Sequence, residues 1–199
     1  MTAVAVKDIY TPEAYLALER KATTKSEYVN GEIYAMAGAS REHNYIAGDL
    51  FGELRIQLRG RGCALFMSDM RVRISATGLY TYPDVVVACG KPRFEGAQSD
   101  VLLNPTVIFE VLSPSTEAYD RGAKFVHYRY LPSLQEYVLV AQDRMQVDHY
   151  ARMGNQWLLT AYNKPEEILA LPSIECNLPL AEIYAQVELA GEGLDVKEG

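Results

Sequence analysis

Two short segments of the sequence are apolar almost throughout, 85–89 (VVVAC) and 106–112 (TVIFEVL). A strand with one face in water alternates apolar and polar residues, whereas a strand covered on both faces does not need to. We therefore predict that both segments are central strands of a sheet, with helices before and after them as covers. This pattern indicates a single α/β domain with a mixed β-sheet flanked by helices.

The flanking segments carry clear start and turn signals. Thr11 followed by Pro12 predicts the beginning of a short helix, and Ser40 could cap a longer helix over 41–59. Asn30-Gly31 is a strong hairpin signal between two apolar runs. The other predicted elements are extended segments over 63–75 and 82–90, a helix over 114–132, three short strands within 136–162 and a closing helix over 179–187.

The length and composition are those of one globular domain. The chain has 199 residues, and we assign 1–187 to the domain and 188–199 to an acidic flexible tail. The formal net charge of −7 argues against a nonspecific nucleic-acid binder, which usually carries a broad basic surface, but it does not exclude a local basic groove.

Nothing in the sequence indicates a membrane protein or a metal-binding cysteine cluster. The longest apolar runs fall far short of the ~18 residues that a span needs, so we expect a cytoplasmic protein that does not contact membranes. Cys63, Cys89 and Cys176 are odd in number and far apart. We expect them to be reduced residues of the core, not a disulfide framework.

Glu110 is unexpected because it lies inside the apolar segment 106–112. A carboxylate is almost never fully buried without a partner, since removing it from water costs several kcal/mol. Asp84 stands directly before the neighbouring apolar strand and could bring a second carboxylate beside the first. Two such groups would repel each other unless a cation lay between them, and a pair of carboxylates suits Mg²⁺ or Mn²⁺.

A lysine is available near this pair. In the helix predicted after Leu112, the residues Asp120, Lys124 and Tyr128 are spaced four apart and share one helix face. That face can lean over the site, where the lysine could orient or deprotonate an attacking water or stabilise charge on phosphate.

Several motifs together resemble a known family. They are YPD at 82–84, FEVLSPST at 109–116, D-R-G-x-K at 120–124 and EYVLV at 136–140, with EYVNGEIYAM, His43 and SDMRVRI upstream. The pattern resembles the bacterial Uma-type family, a former domain of unknown function assigned as restriction endonucleases within the PD-(D/E)XK nuclease superfamily. The resemblance covers roughly 10–182, nearly the whole chain.

The resemblance implies a restriction-endonuclease-like core and metal-dependent hydrolysis of phosphodiester bonds, in DNA more than in RNA, with Mg²⁺ or Mn²⁺ held by Asp84 and Glu110. The superfamily signature places a lysine two residues after the second acid, where this chain has Leu112. Lys124 matches the family position to which that lysine has moved. The resemblance also implies a third carboxylate from the first hairpin, Glu27 or, ranked slightly lower, Glu32.

Simpler interpretations stay open for each of these residues. Asp84 could be a turn residue that accepts backbone hydrogen bonds, and Glu110 could form an ion pair with Arg71 or Arg73. Lys124 could pair with Asp120 on an exposed helix face.

Other candidates are also open to two interpretations. His43 is a structural histidine more often than a catalytic base, and Tyr128 is more often a packing residue. Arg71 and Arg73 alternate onto one strand face and could meet phosphate.

Three functions therefore compete. The first is a metal-dependent endonuclease, for which a homodimer would suit symmetric cutting of a duplex. The second is a binding or interaction protein on a nuclease fold that has lost activity, which the displaced lysine and the acidic charge favour. The third, a glycosidase that uses Asp84 and Glu110 as acid and base, has no other support in the chain.

Overall fold

A computed structural model describes residues 9–189 of the chain. The helical elements are α1 (Pro12–Glu19), α2 (Arg41–Gln57), α3 (Glu117–Tyr119), a π-helical turn (Asp120–Lys124), α4 (Phe125–Tyr128), a 3-10 turn (Pro172–Ile174) and α5 (Leu180–Ile183). The strands are β1 (Ser26–Val29), β2 (Glu32–Ala35), β3 (Cys63–Met67), β4 (Arg71–Ile74), β5 (Leu79–Thr81), β6 (Val85–Cys89), β7 (Val101–Leu102), β8 (Val107–Leu112), β9 (Glu136–Ala141), β10 (Val147–Met153), β11 (Gln156–Tyr162), β12 (Ile168–Leu171) and β13 (Cys176–Pro179).

The central element is a six-stranded sheet in the order β11-β10-β9-β8-β6-β3. Strands β8 and β9 are parallel, whereas the other neighbours in this sheet are antiparallel. All six residues of β8 and the first four of β6 are buried. The prediction of a mixed sheet with these two segments at its centre is therefore confirmed.

The two faces of this sheet are covered by different layers. On one face, Ile46, Leu50 and Leu54 of α2 pack in a cluster with Phe109 and Val111. The other face packs against the end of α4 and against strands of a second sheet, which has the order β2-β1-β5-β4-β7. The sequence predicted helices as the covers, and the second sheet is an addition to that prediction.

The local signals are also confirmed. The Thr11 hydroxyl accepts a hydrogen bond from the Ala14 N–H at 3.2 Å, and the Ser40 hydroxyl accepts one from the His43 N–H at 3.1 Å. Asn30 and Gly31 have φ values of 50° and 91°, as a tight hairpin between β1 and β2 requires.

Two predicted elements differ from the structure, and four short strands were not predicted. The segment 63–75 is not one strand, because a turn closed by a Met70 N–H to Met67 O hydrogen bond separates β3 from β4, which belong to different sheets. The short strands β5, β7, β12 and β13 were not predicted. The closing helix, predicted over 179–187, is only Leu180–Ile183.

The prediction of three reduced cysteines is wrong for two of them. Cys63 and Cys89 stand opposite each other on the antiparallel strands β3 and β6, with a Cα–Cα distance of 4.0 Å, and form a disulfide. The sequence places them 26 residues apart, so only the strand pairing reveals their contact. Cys176 is free and buried, as expected.

Two further expectations concern the domain boundary and membrane-spanning helices, and the structure describes only residues 9–189. The proposed boundary between a 1–187 domain and a 188–199 tail stays a prediction, because residues 190–199 lie outside the described residues. Within residues 9–189, no helix is long and apolar enough to cross a membrane.

Candidate active site

The register of the central sheet sets the positions of the two predicted metal ligands. Strands β6 and β8 pair with Val85 opposite Phe109, so one further residue along the same register puts Asp84 opposite Glu110. The Val111 N–H donates a hydrogen bond of 2.7 Å to Asp84 Oδ2. Glu110 is only 3% exposed. Asp84 thus has the backbone contact expected of a turn aspartate and also lies beside the buried carboxylate.

Lys124 is the ionic partner of Glu110. Its Nζ lies 3.0 Å from Glu110 Oε1, 3.2 Å from Asp120 Oδ1 and 3.3 Å from Glu27 Oε1. The pair with Asp120 at i,i+4 exists as proposed, but both side chains are buried and do not lie on an exposed face. The alternative in which an arginine neutralises Glu110 is wrong, because Arg71 pairs with Asp100 and Arg73 with Glu95.

A π-helical turn carries Asp120 and Lys124 into the site. The helical segment from Glu117 to Tyr128 is α-helical at both ends and π-helical over Asp120–Lys124. Such turns widen a helix locally and occur frequently at functional sites. The four-residue spacing of the sequence therefore identified the correct face, although the helix does not have regular α geometry there.

The first hairpin contributes Glu27 to the cluster. Glu27 is buried, contacts Lys124 and accepts a hydrogen bond from the Thr81 hydroxyl. Glu32, the other candidate, accepts a hydrogen bond from the Tyr34 hydroxyl next to it on β2. The structure thus brings Glu27 into contact with the predicted lysine.

Two tyrosines contact the cluster, the buried Tyr128 and the partly buried Tyr119. The Tyr128 hydroxyl donates a 2.7 Å hydrogen bond to Glu110 Oε1, and the Tyr128 ring is fully buried. Tyr128 therefore both packs and fixes the carboxylate. The Tyr119 ring lies 5.8 Å from Lys124 Nζ. Sequence reasoning missed Tyr119 and Thr81; the position of Tyr119 directly before Asp120 was the only signal for it.

His43 reaches the site from the first turn of α2. Its Nε2 lies 3.2 Å from Asp84 Oδ2, and both side chains are about one-seventh exposed, at 15%. Its other ring nitrogen, Nδ1, is buried and has no hydrogen-bond partner among the described residues. His43 therefore contacts the more exposed carboxylate, Asp84, whereas Lys124 contacts the buried one, Glu110.

The electrostatics of the cluster follow from burial and from an excess of acids. Burial raises the pKa of Glu110 well above its usual value, and the nearby carboxylates add to that rise against the opposing effect of Lys124. Burial also raises the pKa of Asp120. For Lys124, burial favours the neutral amine, but Glu110, Glu27 and Asp120 outweigh it and raise its pKa. Lys124 is therefore held as a charged ammonium.

The donor chemistry of the cluster suits a hard divalent cation. Three carboxyl groups contact one ammonium, so in their ionised forms they carry more negative charge than Lys124 offsets, and a cation would offset the rest. Within residues 9–189, however, no group of three or more His, Cys, Asp or Glu side chains is arranged to hold a metal ion. In this arrangement the Lys124 ammonium is the ionic partner of Glu110.

The two arginines proposed for phosphate contact are engaged elsewhere. Arg71 is buried, donates a 2.6 Å hydrogen bond to Asp100 and lies over the Tyr82 ring. Arg73 is in an ion pair with Glu95. A role for either in binding nucleic acid stays a prediction.

The fold places the protein in a structural class. It matches the crystal structure of a "putative nuclease belonging to DUF820" from Anabaena variabilis ATCC 29413 with a TM-score of 0.73. The match covers 87% of this chain and 96% of that chain at 20% sequence identity. The protein thus shares the mixed α/β fold of that structure, with mixed sheets flanked by helices.

The family is defined by sequence. Residues 12–181 match the Uma2 family, described as "Putative restriction endonuclease", and the chain belongs to that family. Two proteins of Synechocystis sp. (strain ATCC 27184 / PCC 6803 / Kazusa) are similar to it. Uncharacterized protein sll1609 is 42% identical over 161 residues, covering 80% of this chain and 91% of that protein. Uncharacterized protein slr1290 is 39% identical over 175 residues, covering 87% and 90%. The resemblance noted in the sequence is confirmed.

Proposed function

We propose that this protein is a metal-dependent endonuclease that hydrolyses phosphodiester bonds of nucleic acid, with DNA a better substrate than RNA. The family description supports the reaction and the preference for DNA. The observation that carries the proposal is the buried Glu110 carboxylate, 3.0 Å from Lys124 and opposite Asp84 on the next strand. Replacement of a buried ionic cluster by apolar residues often leaves a protein equally or more stable. A role in catalysis therefore explains the presence of such a cluster better than a role in stability does.

In this proposal Asp84 and Glu110 bind Mg²⁺ or Mn²⁺. When bound, the ion polarises the phosphate and lowers the pKa of a water molecule. The excess of carboxylates around Lys124 supports a cation here. Burial is the main reason why the pKa of Glu110 is raised, and a bound cation would relieve the repulsion from Asp120 and Asp84 that adds to it. Tyr128 would hold the Glu110 carboxylate in one orientation through its 2.7 Å hydrogen bond.

Lys124 would act through its charge. Its raised pKa favours the ammonium form, which cannot accept a proton from water. A fixed ammonium can instead stabilise the negative charge that develops on a phosphate during hydrolysis. Asp120 and Glu27, both within 3.3 Å, would position it.

The test is a cleavage assay on single- and double-stranded DNA and RNA with Mg²⁺, Mn²⁺ or EDTA. Asp84→Asn, Glu110→Gln and Lys124→Met should each lower the cleavage rate by about 10²-fold or more. Glu27→Gln should also slow cleavage, whereas its matched control on the same hairpin, Glu32→Gln, should not. Cleavage that persists in EDTA, or in both Asp84→Asn and Glu110→Gln, would overturn the proposal.

A second candidate is a binding or interaction protein that has lost activity. The favouring observation is that Lys124 already neutralises part of the acidic cluster, with no metal-binding group of three side chains in residues 9–189. Titration calorimetry with Mn²⁺ separates the two candidates. Neither heat of binding nor cleavage of any nucleic acid would favour the second one.

We also propose that the active form is a homodimer. One active centre cuts one strand, so two copies related by a two-fold axis would suit symmetric cutting of a duplex. Sedimentation velocity with and without duplex DNA tests this. A monomer in both conditions that still cuts both strands at one position would contradict it.

A further inference from the structure

A second surface of the protein combines arginines with an exposed aromatic ring. Two cavities, of about 270 and 310 Å³, lie on either side of the Tyr130 side chain, which is 59% exposed. We call this surface the Tyr130 groove. Arg129, Arg152 and Trp157 line it on one side of Tyr130, and Arg93 lines it on the other.

The groove is positively charged, although the protein as a whole has a formal net charge of −7. Arg93, Arg129 and Arg152 line it, and no acidic residue does. Among the ion pairs formed within residues 9–189, none includes any of these three arginines. Three arginines without a carboxylate partner form a local site for an anion.

Among these three arginines, Arg152 has a guanidinium that is held in place by hydrogen bonds. Its Nε and Nη2 donate hydrogen bonds to the backbone carbonyls of Leu134 and Leu131 at 2.6 and 2.9 Å, and its guanidinium lies 4.4 Å from the Trp157 ring centroid. Burial lowers the pKa of Arg152, as expected for a cation that is partly removed from water without a carboxylate. An anion bound in the groove would offset that cost.

We propose that the Tyr130 groove binds single-stranded nucleic acid, with a base stacked on Tyr130 and the flanking phosphates at Arg93 and Arg129. Exposed aromatic rings bordered by basic residues are how proteins hold unpaired strands without base-specific contacts. In a duplex substrate only a locally unpaired strand could occupy the groove, since paired bases are not free to stack on a side chain. The proposal rests on the proposed function, because it supplies a substrate-holding surface for the nuclease.

The groove is separate from the acidic cluster. Glu110 pairs with Leu139 on β9, whereas the Arg152 N–H bonds to the carbonyl of Gln135, four residues earlier. At ~3.3 Å per residue, the groove is about 13 Å from the level of Glu110 along the sheet. A strand held in the groove could therefore extend toward the acidic cluster.

Binding is measured by fluorescence anisotropy with a labelled oligo(dT) of ~12 nucleotides, in EDTA so that no cleavage occurs. Tyr130→Ala should weaken binding roughly five- to hundredfold, and Tyr130→Phe should keep wild-type affinity because the ring remains. Arg93→Ala combined with Arg129→Ala should lower the slope of log affinity against log salt by about 1.4. Tyr130, Arg93 and Arg129 are all exposed, so these variants should keep the fold.

The matched control is Arg55→Ala, which removes one exposed arginine of α2 outside the groove and should leave affinity and salt slope unchanged. Equal binding by Tyr130→Ala and wild type would overturn the groove proposal even if the protein cuts DNA. If Tyr130→Ala binds more weakly than wild type, and wild type cuts no nucleic acid, the groove proposal is supported and the nuclease proposal is refuted. Groove variants that change sedimentation but not oligonucleotide affinity would assign the surface to protein contact and overturn the proposal.

Discussion

Replacing Lys124 with methionine should destabilise the protein by about 3–5 kcal/mol near pH 8. The ammonium contacts Glu27, Glu110 and Asp120 at 3.3, 3.0 and 3.2 Å, and all four side chains are buried. Methionine has a similar length and no charge. Its introduction therefore removes the counter-charge and leaves three carboxylates together in the interior.

The magnitude follows from the distances. At an effective dielectric constant of ~20, each contact near 3 Å is worth about 5 kcal/mol of attraction. Most of this attraction is offset by the cost of removing Lys124 from water, which methionine does not incur. The net loss should therefore be close to the ~3–5 kcal/mol measured when one partner of a buried pair is removed. Glu110→Gln should cost less, because it relieves the negative surplus and can keep the Tyr128 contact.

The loss should depend on pH with a definite sign. Burial raises the pKa of Glu110 and Asp120 in the folded protein, so the folded state takes up protons more readily than the unfolded chain. Removal of Lys124 raises these pKa values further. The deficit of the variant relative to wild type should therefore shrink as the pH falls from about 8 into the acidic range, because protonation removes the carboxylate charges that Lys124 no longer offsets.

The assay is urea unfolding of both proteins at each pH. Lys25→Met is the matched control, because Lys25 is not buried and its ion pair with the 90% exposed Asp69, at 2.6 Å, is worth at most ~1 kcal/mol. A loss below about 1 kcal/mol for Lys124→Met, or a loss that does not change with pH, would refute the ionic account of the cluster.

Two further predictions concern other parts of the fold. Protein that is unfolded but not reduced should show one titratable thiol, that of Cys176, and three titratable thiols would contradict the disulfide. Reduction of the Cys63–Cys89 disulfide should lower the free energy of unfolding by ~3 kcal/mol, because the two residues are 26 positions apart in sequence. Burial lowers the pKa of His149 to about 4, so the free energy of unfolding should fall as the pH drops from ~6.5 toward 4. The His149→Gln variant should lose that part of the pH dependence. An unchanged pH profile in the variant would contradict this prediction.

The sequence predicted the central sheet well because local patterns determine it. The apolar segments 85–89 and 106–112 became β6 and β8, and the antiparallel register between them placed Asp84 opposite Glu110. The spacing of Asp120, Lys124 and Tyr128 likewise identified a helix face, and all three now contact one another or Glu110. The helix face depends on residues close together in sequence, and the position of Asp84 opposite Glu110 was predictable because two apolar segments mark both strands as central.

The features that sequence reasoning missed depend on long-range pairing. In the five-stranded sheet, β1 pairs with β5 only through Tyr28 and Tyr80. No local sequence pattern predicts that pairing. The same pairing brings Thr81 to Glu27, and the pairing of β3 with β6 brings Cys63 to Cys89. Contacts of this kind become visible only after the fold is known.

The most direct test of the central claim is a Mn²⁺ soak of crystals, with diffraction measured at an energy where manganese scatters anomalously. The account predicts an anomalous peak within about 2.3 Å of carboxylate oxygens of both Asp84 and Glu110. A map with no peak between them, in which the Lys124 ammonium still contacts Glu110 as it does without metal, would contradict the account.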